Sequence, residues 1–417
     1  MIDRLAYLTA DLPGTGGVLK QRPEDFLVEE APLYEPTGEG EHLYLYVEKK
    51  RATTLDVVRR LAKAFRTKRS DVGYAGLKDK HAVTRQHLSI HRPGTTPAED
   101  AECLERFSHY PYASVIWADR HTNKLRRGHH GGNRFVVRVR GVEPTAVLRA
   151  KPILDRLAQG GFPNYLGEQR FGYRQNSHLL GRHLLRCGWR AFLDGLLGDP
   201  RPDENEDVQA ARRAYEDGDI GLALERMPKS LRGARQALDA LRQHKSEHEA
   251  VLSIDRTQLD FLVSATQSAV FNAVVDRRVR AGTLDRLLPG DLAWRHDNRA
   301  CFAVDADTAE AENRPDGRVP RLEVSPSGPF WGPGMTLPRG SVLIDEHAAL
   351  ADAGLTEDDF TRATHVRTDG TRRPLRERLI DPDLSGGVDE HGAYLRLAFT
   401  LGRGAFATMV VREITKA

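Results

Sequence analysis

The segment GYAGLKDKHAVTRQ, residues 73–86, carries the residue types best suited to covalent chemistry. Asp79 stands between Lys78 and Lys80 in a glycine-punctuated loop that leads into an apparent strand. A carboxylate beside cations is favoured in its charged form, and an ionised carboxylate is available as a nucleophile. An ordinary surface turn would carry the same local pattern. The segment gains meaning only from the residues that accompany it.

Other chemistries find little support. GTGGVLK at 14–20 has glycines and a lysine but lacks the spacing of a phosphate loop. No GxSxG elbow and no HExxH occur. His129 and His130 are adjacent, so on a strand their rings point to opposite faces and cannot easily share a metal. Cys103, Cys187 and Cys301 lie far apart and form no CxxC pair, which argues against a disulfide framework or a cysteine zinc site. A hydrolase could use paired acids such as Glu24 and Asp25, but neighbours on a strand face opposite ways.

With 417 residues, two domains are expected. Hydrophobic residues make up 40% and charged residues 29%, as in soluble globular proteins that bury a sizeable core. No run approaches the roughly 20 apolar residues that span a bilayer. Asp3, Arg4 and Asp11 interrupt the place where a signal peptide needs apolar residues, so the expectation is cytoplasmic, with no membrane association. The net charge of +3 is only mildly basic. Its distribution says more. From Arg120 through Val142 there is no acid, while Arg120, Lys124, Arg126, Arg127, Arg134, Arg138 and Arg140 are basic. That stretch either contacts phosphates or is a solvated face whose counter-charges come from elsewhere.

These residues need elements to position them. His42 to Glu48 alternates, with Leu43, Leu45 and Val47 on one face of a half-buried strand. Thr53 to Asp56 offers a capping box before Leu55, Val58, Leu61, Ala62 and Phe65 at helical spacing. Leu88 and Ile90 flank Ser89 in a strand after the Asp79 loop. Phe135, Val137 and Val139 alternate with Val136, Arg138 and Arg140, whose face is either exposed or turned to a ligand. From about 177 to 280 the chain is helical in composition, and Leu259, Leu262, Val263, Thr266, Val270 and Val274 form one stripe. Residues 198–207 read as a loop, and 305–340 wander between short elements. Leu395, Leu397 and Phe399 alternate as a strand. Gly402-Arg403-Gly404 breaks the run, and Phe406, Thr408 and Val410 resume the alternation. Two β-patterned ends around a helical middle imply a core built from both ends of the chain, with a domain inserted between them.

Together with GLKDKHAVTRQ, four further segments carry a specific resemblance: LKQRPEDFLVEE at 19–30, PNYLGEQRFG at 163–172, SATQSAVFN at 264–272, taken to open a helix, and LGRGAFATMVVREI at 401–414. The sequence closely resembles the tRNA pseudouridine synthase D family over nearly its whole length, least so at about 177–260. The resemblance implies an α+β fold. A pseudouridine synthase catalytic domain, an antiparallel sheet with helices, would span 1–162 and 379–417, and an inserted α/β domain 163–378, with RNA in the cleft between them. It implies isomerisation of uridine to pseudouridine, at uridine 13 of tRNA, by a monomer that needs no cofactor and no metal.

Carried over residue by residue, the resemblance makes Asp79 the catalytic aspartate. Phe26 in RPEDF, Asn133 in GGNRF, Phe135 and Phe406 in RGAFAT become substrate contacts, and Lys20 a cation near the nucleophile. Ala405 stands where the family's closing motif usually has Ser. Arg126 and Arg127 then become contacts to the RNA backbone. Attack on C1′, addition to uracil C6 and a glycal route all remain open for Asp79. A protein that binds RNA without modifying it is the main alternative.

Overall fold

The computed structural model describes residues 5–417, so Asp3 and Arg4 lie outside it. Residues 7–162 and 377–417 form one compact unit; Leu5, Ala6 and residues 163–376 form another. In chain order, the first unit opens with β1 (Phe26–Pro32), β2 (His42–Lys50), α1 (Thr54–Ala64), β3 (Val72–Tyr74) and β4 (Val83–His91). It continues with α2 (Pro97–Ser108), β5 (Ala113–His121), β6 (His130–Arg140) and α3 (Ala146–Gly160). The second unit holds the helices α4 (Ser177–Leu185), α5 (Trp189–Leu197), α6 (Glu206–Glu216), α7 (Ile220–Arg226), α8 (Arg232–Arg242), α9 (Glu247–Leu252) and α10 (Arg256–Arg280). Next come β7 (Leu292–Arg295), β8 (Cys301–Ala303), α11 (Ala306–Asn313), β9 (Val324–Phe330), α12 (Gly340–Asp352), α13 (Glu357–Arg362) and β10 (Thr371–Pro374). The chain then returns to the first unit with β11 (Ile380–Asp389), β12 (Gly392–Gly402) and α14 (Ala407–Thr415).

The first unit is built on an eight-stranded sheet of order β11-β12-β6-β1-β4-β2-β5, with β3 beside β4. Only β1 and β4 run parallel; the other pairs are antiparallel. The alternation of β2 buries Leu43, Leu45 and Val47 against Val57, Val58, Leu61 and Phe65 of the α1 region, and Phe107 of α2. The capping box predicted at Thr53 and Asp56 is present. Leu55 is the exception to the expected helical stripe. It is 48% exposed, because Thr54, Val57 and Val58 take the inward positions of the first turn. Phe26, Phe135 and Phe399 form a second layer of ring contacts across β1, β6 and β12. Gly132 lets β6 and β12 approach closely, since a Cβ there would collide with the Leu401 carbonyl.

Two expectations at the chain's helices change. Phe406, Thr408 and Val410 do not resume a strand. Ala407, Val410, Val411 and Ile414 share the buried interior of α14, because a short apolar run fits a helix as well as it fits a strand. SATQSAVFN does not open a helix either. α10 begins at Arg256 on the Asp255 cap, so this segment lies in its interior, where small residues allow close packing: a Cβ on Gly181 of α4 would meet the Leu262 carbonyl. The wandering stretch after 305 contains β9, the centre of a four-stranded sheet of order β10-β9-β7-β8, fully buried and flanked by α10. Its Ser-Pro-Ser-Gly-Pro sequence hides a strand that composition reads as a loop.

Candidate active site

Asp79 lies in the loop between β3 and β4, and its side chain is 44% exposed. Three bonds fix that loop, and a fourth ties Lys49 to the chain just after β2. The Lys78 backbone N–H donates to Thr54 Oγ1 at 2.9 Å, which ties the loop to the first residue of α1. From β2, Lys49 Nζ donates to the carbonyls of Asp79 at 2.7 Å, Ala52 at 2.9 Å and Lys78 at 3.3 Å. Lys49 is 1% exposed, and burial pulls its ammonium down to about 8. Three carbonyl acceptors satisfy the three donors of a lysine that water does not reach.

The Asp79 carboxylate meets Lys20. Lys20 Nζ is 3.0 Å from Asp79 Oδ2 and 4.5 Å from the centre of the Phe26 ring. Lys20 has a φ of 57°, a left-handed conformation uncommon outside glycine, and this turn carries its side chain to the carboxylate. The ring beneath an ammonium adds a cation–π attraction. Phe26 is 4% exposed, and its ring packs edge-on against Phe135 at 6.1 Å.

A second, buried network lies under the loop. Lys78 Nζ is 2.9 Å from Glu30 Oε2 and also donates to Asn133 Oδ1. Glu30 accepts from the His87 backbone N–H at 3.2 Å. Burial, the largest influence on Glu30, pushes its carboxyl up. The hydrogen bonds from His87 and the Lys78 charge outweigh it, so the group sits below the usual carboxylate range. His130 is held below the ordinary imidazole value, by burial first and then by Lys78.

Lys20, Phe26, Asp79, Asn133 and Phe135 are thus joined by a continuous chain of contacts. Phe406 is the half-buried N-cap of α14, outside the hydrogen bonds and ring contacts just described. Nearby Arg403 donates to the Gly128 carbonyl, and Gly128 donates to Ala75 at 2.8 Å, so the closing segment, the 126–129 turn and the Asp79 loop are linked. Arg126 and Arg127 are exposed on that turn; Arg127 donates to the Tyr74 hydroxyl at 3.1 Å.

Three other arginines of the basic stretch are paired within the fold. Arg120 pairs with Asp100. Arg140 is buried, with Asp25 and Asp389 each at 2.8 Å, so it is neither exposed nor turned to a ligand. Arg138 lies against Tyr394 and 3.7 Å from Asp389. The same contacts remove the paired-acid reading, because Asp25 is committed to Arg140 while exposed Glu24 pairs with Lys50.

Lys49, Glu30 and His87 were not singled out from the sequence. A signal existed for two of them. Lys49 shares the parity of Leu43, Leu45 and Val47, and Glu30 that of Phe26 and Val28. A charge in the buried register of a strand must have partners.

Together these features define an α+β protein organised around a loop-borne carboxylate held among lysines. The chain belongs to the tRNA pseudouridine synthase D family, whose model matches residues 4–414. It is 46% identical over 411 residues to the tRNA pseudouridine synthase D of Geobacter sulfurreducens, covering 98% of this chain and 96% of that protein. It is 35% identical to that of Thermus thermophilus, covering 99% and 93%. A crystal structure of a Methanosarcina mazei protein designated tRNA pseudouridine synthase D superposes with a TM-score of 0.82 at 27% identity, covering 99% of this chain and 96% of that one. Family membership makes the protein a pseudouridine synthase, an isomerase. No helix among the described residues is long and apolar enough to cross a membrane.

Proposed function

We propose that the protein isomerises uridine 13 of tRNA to pseudouridine without a cofactor, with Asp79 as its nucleophile. The observation that carries this reading is the Asp79 carboxylate: accessible to a ligand, paired with Lys20 at 3.0 Å, and set on a loop clamped from below by Lys49. The reaction breaks the N1–C1′ bond, turns the base and joins C5 to C1′; N1 gains a proton and C5 loses one. It changes no oxidation state and adds no group, so a carboxylate at the sugar–base junction can serve alone. The ammonium of Lys20, 3.0 Å from Oδ2, holds the carboxylate in one orientation, which any of the three routes can use.

The target uridine must leave its stack, at a cost of a few kcal/mol. Arg126 and Arg127 are suited to offset that through phosphate contacts. Asn133 spends its carbonyl oxygen on Lys78, which leaves the amide N–H groups for a uracil carbonyl. Phe406, half-buried, retains a ring face on which a base can stack. Phe26 and Phe135 act chiefly from beneath, as the support for Lys20. The purified chain should form pseudouridine in a tRNA transcript, mapped by carbodiimide-blocked primer extension. Asp79→Asn should abolish product while RNA binding persists; full activity in that variant sinks the assignment.

A further inference from the structure

A second acid-free stretch runs from Val57 to Ser70 and holds Arg59, Arg60, Lys63, Arg66, Lys68 and Arg69. All six are exposed on α1 and the turn that follows it. Unlike Arg120 and Arg140, these cations are mostly left without acids. Arg59 pairs with Asp56, and among the described residues none of the other five forms an ion pair. Beside them opens a depression of about 290 Å³, lined by Arg60, Lys63, Arg106, His109 and Tyr110. Arg60 lies over the Tyr110 ring at 5.1 Å, and Arg106 is anchored by donating to the Ala64 carbonyl at 3.0 Å. The cations are therefore partly preorganised, which lowers the cost of binding.

We infer that this basic face of α1 is a second contact for the phosphate backbone of the RNA, gripping the strand that flanks the target uridine. The inference rests on the reading of tRNA as substrate. α1 starts against the Asp79 loop, through the bond from Lys78 to Thr54. At about 1.5 Å per residue, Lys63 lies about 14 Å further along the axis. That distance lets the face reach phosphates beyond the one at the target uridine. A lipid surface fits less well. A membrane-binding helix offers an apolar face to insert, whereas Val57, Val58 and Leu61 are already spent on the core.

The test uses the full chain with Arg60→Gln, Lys63→Gln and Arg66→Gln combined, and the charge-keeping triple Arg60→Lys, Lys63→Arg and Arg66→Lys. Binding of tRNA is followed by filter retention across a salt series. The neutral triple should weaken binding at least tenfold at physiological salt. Its log–log salt slope should shrink by about 2 to 3, near 0.9 per lost phosphate contact. The charge-keeping triple should bind like wild type. Wild-type affinity and slope in the neutral triple would overturn the inference, and so would a loss seen only with anionic phospholipid vesicles. Pseudouridine formation by the wild-type chain is measured in the same tRNA. If none forms, it is the proposed reaction that fails, while the binding series still reports on this face.

Discussion

The Lys49 ammonium donates to the Asp79 carbonyl at 2.7 Å from a side chain that is 1% exposed. The carboxylate is thus presented by a loop whose backbone is bolted to a buried cation. Replacing the cation with Met should leave RNA affinity intact and lower kcat about tenfold to a hundredfold, the scale of a displacement near 1 Å. Burial brings Lys49 down to about 8 from its ordinary 10.5. Above pH 8 the clamp loses one donor, so wild-type kcat should show an alkaline limb there that Lys49→Met lacks. Stability should not follow. A lysine depressed in the folded state releases its proton earlier than in the unfolded chain, so its contribution to stability rises with pH between about 8 and 10.5. A limb of the same position in Lys49→Met would refute the positioning role.

Arg126 and Arg127 are the exposed remainder of a stretch whose other arginines largely pair within the fold. Changing both to Gln should weaken tRNA binding and reduce the salt slope by about 2. An unaltered slope would make the turn a solvated face.

The aromatic residues divide by burial. Phe135 is 8% exposed, between Phe26 and Phe399, so Phe135→Ala should cost about 3–5 kcal/mol in urea unfolding. Phe406→Ala should leave the unfolding midpoint nearly unchanged and lower kcat/KM by about 10- to 100-fold, the worth of one stacked base. A reversal of these two outcomes would exchange their roles.

Asp25 and Arg140 lock β6 to the turn before β1. Asp25→Asn leaves Arg140 buried with Asp389 as its remaining partner, and should cost about 3 kcal/mol of stability. Chemical denaturation checks this; a change under about 0.5 kcal/mol would mean that Asp389 compensates.

Much of the frame was legible. Leu43, Leu45 and Val47 announced β2, and Thr53 with Asp56 announced α1, because strand parity and capping chemistry are local. Asp79 was visible through its motif. The bonds that hold it were not, since the partners of Lys49, Glu30 and His87 come within reach only when β1, β2 and β4 lie side by side. The stretch from Arg120 to Arg140 misled in the same way. Its acids, Asp25, Asp100 and Asp389, are distant in sequence and adjacent only after folding. The end of the chain misled for another reason: nine residues as apolar as Ala407–Thr415 fit either period.

The register that sets Leu401 opposite Asn133 joins β12 to β6 across the whole of residues 163–376. On the ribosome, β6 must therefore wait with one edge unpaired while the intervening segment is made, and an open edge invites wrong partners. Contacts this remote in sequence also close slowly. The intervening unit has a core of its own with which to fold during that delay. Asn133, already beside Glu30 of β1, gains its second strand neighbour only after β12 is synthesised, so a nascent chain has its Asp79 loop before it has a finished wall around it. Competence would then arrive as a single late event, and a chain truncated before β12 would be an aggregation hazard rather than a weakened enzyme.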